Sequence, residues 1–175
     1  MRNLIFVGGI HGVGKSTFCT KLSDNHGIKA HSASKLIAFK KNETFTKDKR
    51  IQDIKSNQMY LLEALDEVES NVFLLDGHFC LLDINGIITR IPEQTFIDIS
   101  PRAIVVLIDS VKEIISRLQA RDSHLHNHSV IKEFQDEEIG YAKIISEKLN
   151  VPLIILDSEN REFENSELKN ILGLA

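Results

Sequence analysis

The chain has 175 residues, a formal net charge of −4, 42% hydrophobic residues and 26% charged residues. That composition supplies one domain with a single core, and it excludes both a disordered chain and a strongly basic nucleic-acid-binding one. Cys19 and Cys80 have neither zinc-site nor CxxC spacing, no apolar run approaches bilayer length, and no signal-peptide cleavage pattern follows the first apolar run. The expectation is a soluble, cytoplasmic protein with reduced thiols and no membrane partner.

In chain order, "NLIFV" (3–7) reads as a buried strand. A helix-compatible run follows over 15–25, then a weaker strand over 28–33. Residues 49–70 place Ile54, Gln58, Leu61, Leu62, Leu65 and Val68 at three- and four-residue steps, the spacing of one helix face. "VFLLD" (72–76) and "AIVVLID" (103–109) are continuously apolar and β-branched, as strands covered on both faces are. Between them, 79–101 mixes apolar residues with turn signals, and a hairpin around Asn85-Gly86 is the simplest reading. Ser110 with Glu113 forms a capping box ahead of a helix striped by Val111, Ile114, Ile115 and Leu118. Polar residues 122–129 read as a mobile loop. Phe134, Tyr141, Ala142, Ile145 and Leu149 mark a further helix, "VPLIILD" (151–157) a last strand, and Leu168, Ile171 and Leu172 an apolar tail. Strands and helices alternate without repeats, linkers or low-complexity tracts. The expectation is one domain over 1–175, built as a doubly wound, parallel, five-stranded α/β sheet in three α/β/α layers.

The segment "GGIHGVGKST" matches G-x-x-x-x-G-K-[ST] in full, from Gly9 through Gly14, Lys15 and Ser16, and it lies between a strand and a helix. Glycines let successive N–H groups turn toward anionic oxygens, and the following helix adds the positive end of its dipole. Gly9, His11, Gly12, Val13, Gly14, Lys15, Ser16 and Thr17 are thus the expected nucleotide cradle, with Lys15 on the β- and γ-phosphates and Ser16 on Mg²⁺. A second metal-holding acid is needed at the end of a neighbouring strand. Asp76 and Asp109 both qualify, but Asp109 also serves the helix starting at Ser110, so Asp76 is favoured. Asp157 also ends a strand and reads as a cap or a solvated group.

Together with "LLDGH", these residues resemble nucleoside monophosphate kinases, and more closely the archaeal-type adenylate kinases, over most of residues 3–157. "IKAHSASKLIAFKK" is similar to the second strand and first acceptor-side helix of that family, Asp76-Gly77-His78 to its D-x-H, and "IISRLQARD" to the helix leading into its lid. The resemblance implies ATP and Mg²⁺ as cofactors, an acceptor-side helical segment at about 34–70 and a lid at about 117–134. It implies Arg117 beside ATP, Arg121 as a lid arginine on the transferring charge, Arg50 on the acceptor phosphate, and Ser34, Phe39 and His78 in the acceptor site. Two departures stand out. His11 occupies a position where the family usually has proline, and His124, His126 and His128 stand in a lid that usually carries more arginine. Those histidines have metal-like alternation but no acid or cysteine to complete a set.

The expected activity is transfer of a phosphoryl group from MgATP to a nucleoside monophosphate, AMP being the first candidate. Nucleic acid is a less favoured partner. Two readings stand beside it: a kinase of a small-molecule or polynucleotide hydroxyl, with Asp76 as base, and a regulatory ATPase without an acceptor.

Overall fold

The computed structural model describes residues 2–44, 54–68, 71–82, 85, 87–122, 126–158 and 166–174. Five parallel strands form its sheet: β1 (Leu4–Gly8), β2 (Lys29–Ser32), β3 (Phe73–Asp76), β6 (Ala103–Leu107) and β7 (Leu153–Leu156). Their spatial order is β2-β3-β1-β6-β7. The central strand β1 pairs with β3 on one side and β6 on the other, with Val7 opposite both Asp76 and Val105. Every residue of β1 and β6 is buried, which explains their unbroken apolar sequences. The chain leaves β1 toward one edge and later returns to its other side. This reversal opens a crevice beyond the carboxyl ends of the strands, where ligands of such sheets bind.

Helices flank the sheet: α1 (Lys15–His26), α2 (Ala33–Thr44), α3 (Ile54–Asp66), α4 (Glu93–Ile99), α5 (Val111–Asp122), α6 (His128–Leu149) and α7 (Ser166–Leu172). A short antiparallel hairpin, β4 (Cys80–Leu82) with β5 (Ile88–Arg90), stands apart from the main sheet. It is tied back by the Ile91 N–H, which donates to Phe79 O at 2.8 Å. The helix expected over 49–70 is described as Ile54–Asp66. The polar loop expected over 122–129 is shorter than its composition suggested, because the Asn127 side chain accepts the N–H groups of Ser129 and Val130 and starts α6 at His128. The Ser110 cap holds, its hydroxyl accepting the Glu113 N–H at 3.2 Å.

One helix was not legible. Within the stretch read as a hairpin, α4 follows Pro92 and ends at Ser100, whose φ is +50°. Its seven residues bury Thr95, Phe96 and Ile99, a stripe too short to separate from strand alternation. Phe96 completes an aromatic cluster. Its ring stacks on Phe79 at 4.8 Å between centroids and meets Phe6 edge-on at 5.5 Å. Tyr141 closes the cluster, and its hydroxyl donates to Ile91 O at 2.7 Å. The cluster joins β1, the hairpin, α4 and α6. Replacing Phe96 with Ala is expected to lower the unfolding free energy by about 3–5 kcal/mol, as measured by denaturant titration followed by circular dichroism.

Candidate active site

The site is built where β1 stops. Beyond Gly8 the backbone turns through Gly9 at φ +138° and Gly12 at φ +81° before α1 begins. Neither position admits a side chain. A Cβ on Gly9 would lie 2.7 Å from Leu107 O, and one on Gly12 would lie 2.9 Å from Leu118 Cγ. The loop is therefore pressed between β6 and α5, with Val13 fully buried as its anchor. No protein side chain caps α1, and no acid stands in its first turn. Its leading N–H groups and dipole are thus left to an anion. Ser16 and Thr17 in that turn are exposed.

Lys15 turns back over this loop. Its Nζ donates to Gly9 O at 2.6 Å and Ile10 O at 3.2 Å, and the residue is only 8% exposed. Burial pushes its ammonium down to about 8, against the pull of Glu138 and Asp76. Asp76 ends β3 beside it. Burial raises this carboxyl, with Lys15 and Lys35 opposing. His78 lies two residues on, its Nδ1 buried without a hydrogen-bond partner, and burial together with the charge of Lys15 drives its pKa to about 2. Its ring sits 4.2 Å from that of His11, which burial also lowers. Both imidazoles are thereby biased toward the neutral form.

Asp109, the rival acid, is occupied. Its carboxylate pairs with Arg117 at 2.6 Å and accepts the Ser110 N–H at 2.8 Å and the Ser158 hydroxyl at 3.1 Å. Burial alone would raise it, but these partners hold it below the usual carboxylate range. Arg117 also donates to Gly12 O at 3.0 Å, so the arginine expected beside ATP braces the loop itself. Arg121, one turn further along α5, is exposed, and its charge is felt by His11 and Lys15.

A cavity of about 320 Å³ opens beside Asp76. Phe6, Ile37, Leu61 and Phe96 are among its apolar walls, and Asp76, His78, His11, Ser34 and Asn57 are among its polar ones. Its size suits a small organic ligand. Asn57 Oδ1 is buried without a partner, as is His78 Nδ1, so two polar atoms on the wall have hydrogen-bonding capacity to spare. Ser34 is among the lining residues, its Oγ 3.0 Å from that of Ser32. Phe39 is not. It is 59% exposed and outside the cavity lining, because α2 turns Ala33, Ser34 and Ile37 inward and residue 39 falls on the opposite side. Arg50 and His124 lie outside the described residues, and among the described residues no His, Cys, Asp and Glu side chains cluster as a metal site. The expected lid span of 117–134 comprises the end of α5 and the start of α6.

Two residues escaped the sequence reading. Glu138 is 1% exposed, and its Oε1 accepts the N–H groups of Gly9 at 2.9 Å and Phe79 at 3.0 Å while Oε2 accepts that of Cys80 at 2.7 Å. The available signal was its place among Phe134, Tyr141, Ala142 and Ile145, an acid on an apolar helix face. Gln135, on the same helix, clasps the Asp109 backbone, accepting its N–H at 3.1 Å and donating to its carbonyl at 2.9 Å. Nothing in the sequence marked it.

The parallel sheet, the glycine loop at its central strand and the buried lysine define a P-loop NTPase, of the kinase-like kind. Residues 8–135 match the family described as AAA domain, and the chain belongs to that family. No curated protein matches the chain in sequence. The crystal structure of TT1252 from Thermus thermophilus is similar in fold, with a TM-score of 0.55 and 12% identity, covering 98% of this chain and 97% of that one. Among the described residues, no helix is long and apolar enough to cross a membrane.

The low pKa of Lys15 has a thermodynamic consequence. With burial pushing this ammonium down to about 8, the free protein gives up part of its charge here as pH rises, and an arriving polyphosphate favours the charged form. Nucleotide binding at pH 8–9 is therefore expected to take up protons, and Lys15→Met to abolish that uptake. Calorimetric titration in two buffers of different ionisation enthalpy measures it.

Proposed function

We propose that the protein is an MgATP-dependent phosphotransferase whose small-molecule acceptor occupies the cavity beside Asp76. The observation carrying this reading is the shared wall. Asp76 and His11 line the acceptor cavity, and both stand in the electrostatic reach of Lys15 on the donor loop. An ATPase without an acceptor has no need of such a space.

The exposed Ser16 hydroxyl and the half-buried Asp76 carboxylate suit Mg²⁺ as an oxygen-seeking cation and would hold it. A Mg²⁺ held by Ser16 and Asp76 would supply charge neutralisation for the donor phosphates. The chain's own residues do the rest. Loop N–H groups and the α1 N-terminus orient the donor, Lys15 balances its charge, and Arg121 stands ready for charge developing during transfer. The apolar walls exclude water, which otherwise competes as acceptor.

For the acceptor, a nucleoside monophosphate is the class to which the sequence resemblance points, with AMP first and Arg50 as its phosphate ligand. Such an acceptor is already anionic and needs no base. A hydroxyl acceptor is the second reading, favoured by Asp76 itself: a carboxylate on the cavity wall, its pKa raised by burial, is placed to take a proton.

The deciding experiment identifies phosphorylated products by mass spectrometry after incubation with MgATP and either monophosphates or neutral alcohols. Acceptor-dependent ADP formation with a phosphorylated product supports the reading. Hydrolysis at the same rate without any acceptor overturns it in favour of the regulatory ATPase.

Two variants sharpen the assignment. Asp76→Asn keeps the shape and loses the charge, and is expected to reduce kcat by about 10²–10⁴-fold with an unchanged circular dichroism spectrum. Asn57→Leu is expected to raise KM for the acceptor while leaving KM for ATP within about twofold, because it touches only the cavity side.

A further inference from the structure

Glu138 is the most deeply buried acid among the described residues, and no step above uses it. It stands at the middle of α6, yet it grips backbone elsewhere: Gly9 at the mouth of the donor loop, and Phe79 with Cys80 just behind Asp76 and His78. Three N–H groups converge on its two oxygens. A carboxylate suits that demand because both oxygens accept and neither donates, whereas an amide would turn an NH₂ toward one of the N–H groups. Packing repeats the tie. A Cβ on Gly8 would meet the Phe79 ring at 2.5 Å and would lie 3.6 Å from Glu138 Oε1. The strand end carrying the donor loop and the segment following Asp76 are thus in contact, with the carboxylate bridging them.

We propose that Glu138 is a positioning residue for transfer: by joining the Gly9 N–H to those of Phe79 and Cys80, it fixes the donor loop relative to the acceptor wall formed by Asp76 and His78. This rests on the phosphotransferase reading for its meaning in turnover, but the mechanical tie can be tested without it. Transfer rates depend steeply on alignment, and misplacement by about 1 Å can cost on the order of 10²-fold. Loss of the tie is read at saturating donor, where the loop glycines, Lys15 and α1 still hold the nucleotide although Lys15 has lost an opposite charge.

The test uses the full chain in three forms: wild type, Glu138→Gln and Ser146→Ala. Ser146 lies on the same helix and donates to Val151 O at 2.7 Å, away from the loop. Its loss reports what destabilising α6 alone does. Hydrogen exchange at 77–80 is followed with and without a non-hydrolysable ATP analogue, alongside kcat and KM for ATP. In wild type and Ser146→Ala, analogue binding should slow exchange at 79 and 80. In Glu138→Gln the analogue, supplied at saturating concentration because Lys15 loses an opposite charge, should still bind, while that protection is lost and kcat at saturating ATP falls by about 10–100-fold. Protection in Glu138→Gln equal to wild type overturns the proposal, as does a Glu138→Gln kcat no lower than that of Ser146→Ala. If turnover proves to be hydrolysis without an acceptor, the function assigned above fails, but the exchange comparison still decides whether Glu138 carries the tie.

Discussion

A buried ammonium group organises this molecule. Lys15 sits at the carboxyl end of a sheet whose central strands are entirely apolar, and its charge has left most of its water behind. A cation in such a place is tolerated only with close partners. The Gly9 and Ile10 carbonyls supply direct hydrogen bonds, and Glu138 and Asp76 supply opposite charge from two directions. Each of those partners depends on a different element. The carbonyls need a loop that bends where only glycine can, Asp76 needs β3 in register with β1, and Glu138 needs α6 laid across the strand ends. The site is thus the point at which sheet, loop and helix must agree.

The two strands flanking β1 lead to aspartates with opposite fates: Asp76 ends β3, and Asp109 follows the end of β6 at Leu107. On the β6 side, Asp109 is closed off by Arg117, Ser110, Ser158 and the Gln135 clasp, and it serves as masonry for the loop. On the β3 side, Asp76 is followed by Gly77, where a Cβ would meet the Phe6 ring at 2.8 Å, and faces an open cavity. One side of the loop is rigid and the other is available, which gives the crevice its direction.

Much of this was legible in the residues. The central strands β1 and β6 carry unbroken apolar runs because the sheet is covered on both faces there, and the glycine loop has a pattern that few other structures require. The helix cap beside Asp109 was legible too, announced by Ser110 and Glu113. What stayed hidden was long-range. Glu138 finds its partners 129 and 59 residues away, Gln135 finds Asp109 26 residues away, and backbone N–H groups leave no trace in a sequence. The short helix α4 was lost because seven residues after a proline carry less than two turns of periodicity. The exposure of Phe39 depends on the rotation of α2, which the sequence did not fix even where the helix itself was legible.

The posture of Lys15 gives the loop an internal competitor. With its amine bonded to Gly9 O and Ile10 O, the lysine has two of its three N–H donors engaged before any phosphate arrives. Phosphate oxygens compete with those carbonyls, which stay tethered a few ångströms away at a very high local concentration. Capture is therefore an exchange of partners. When a spent nucleotide loosens its hold, the carbonyls are at hand to reclaim the lysine, which favours short residence times over tight retention. A loop of this kind is suited to repeated loading and release.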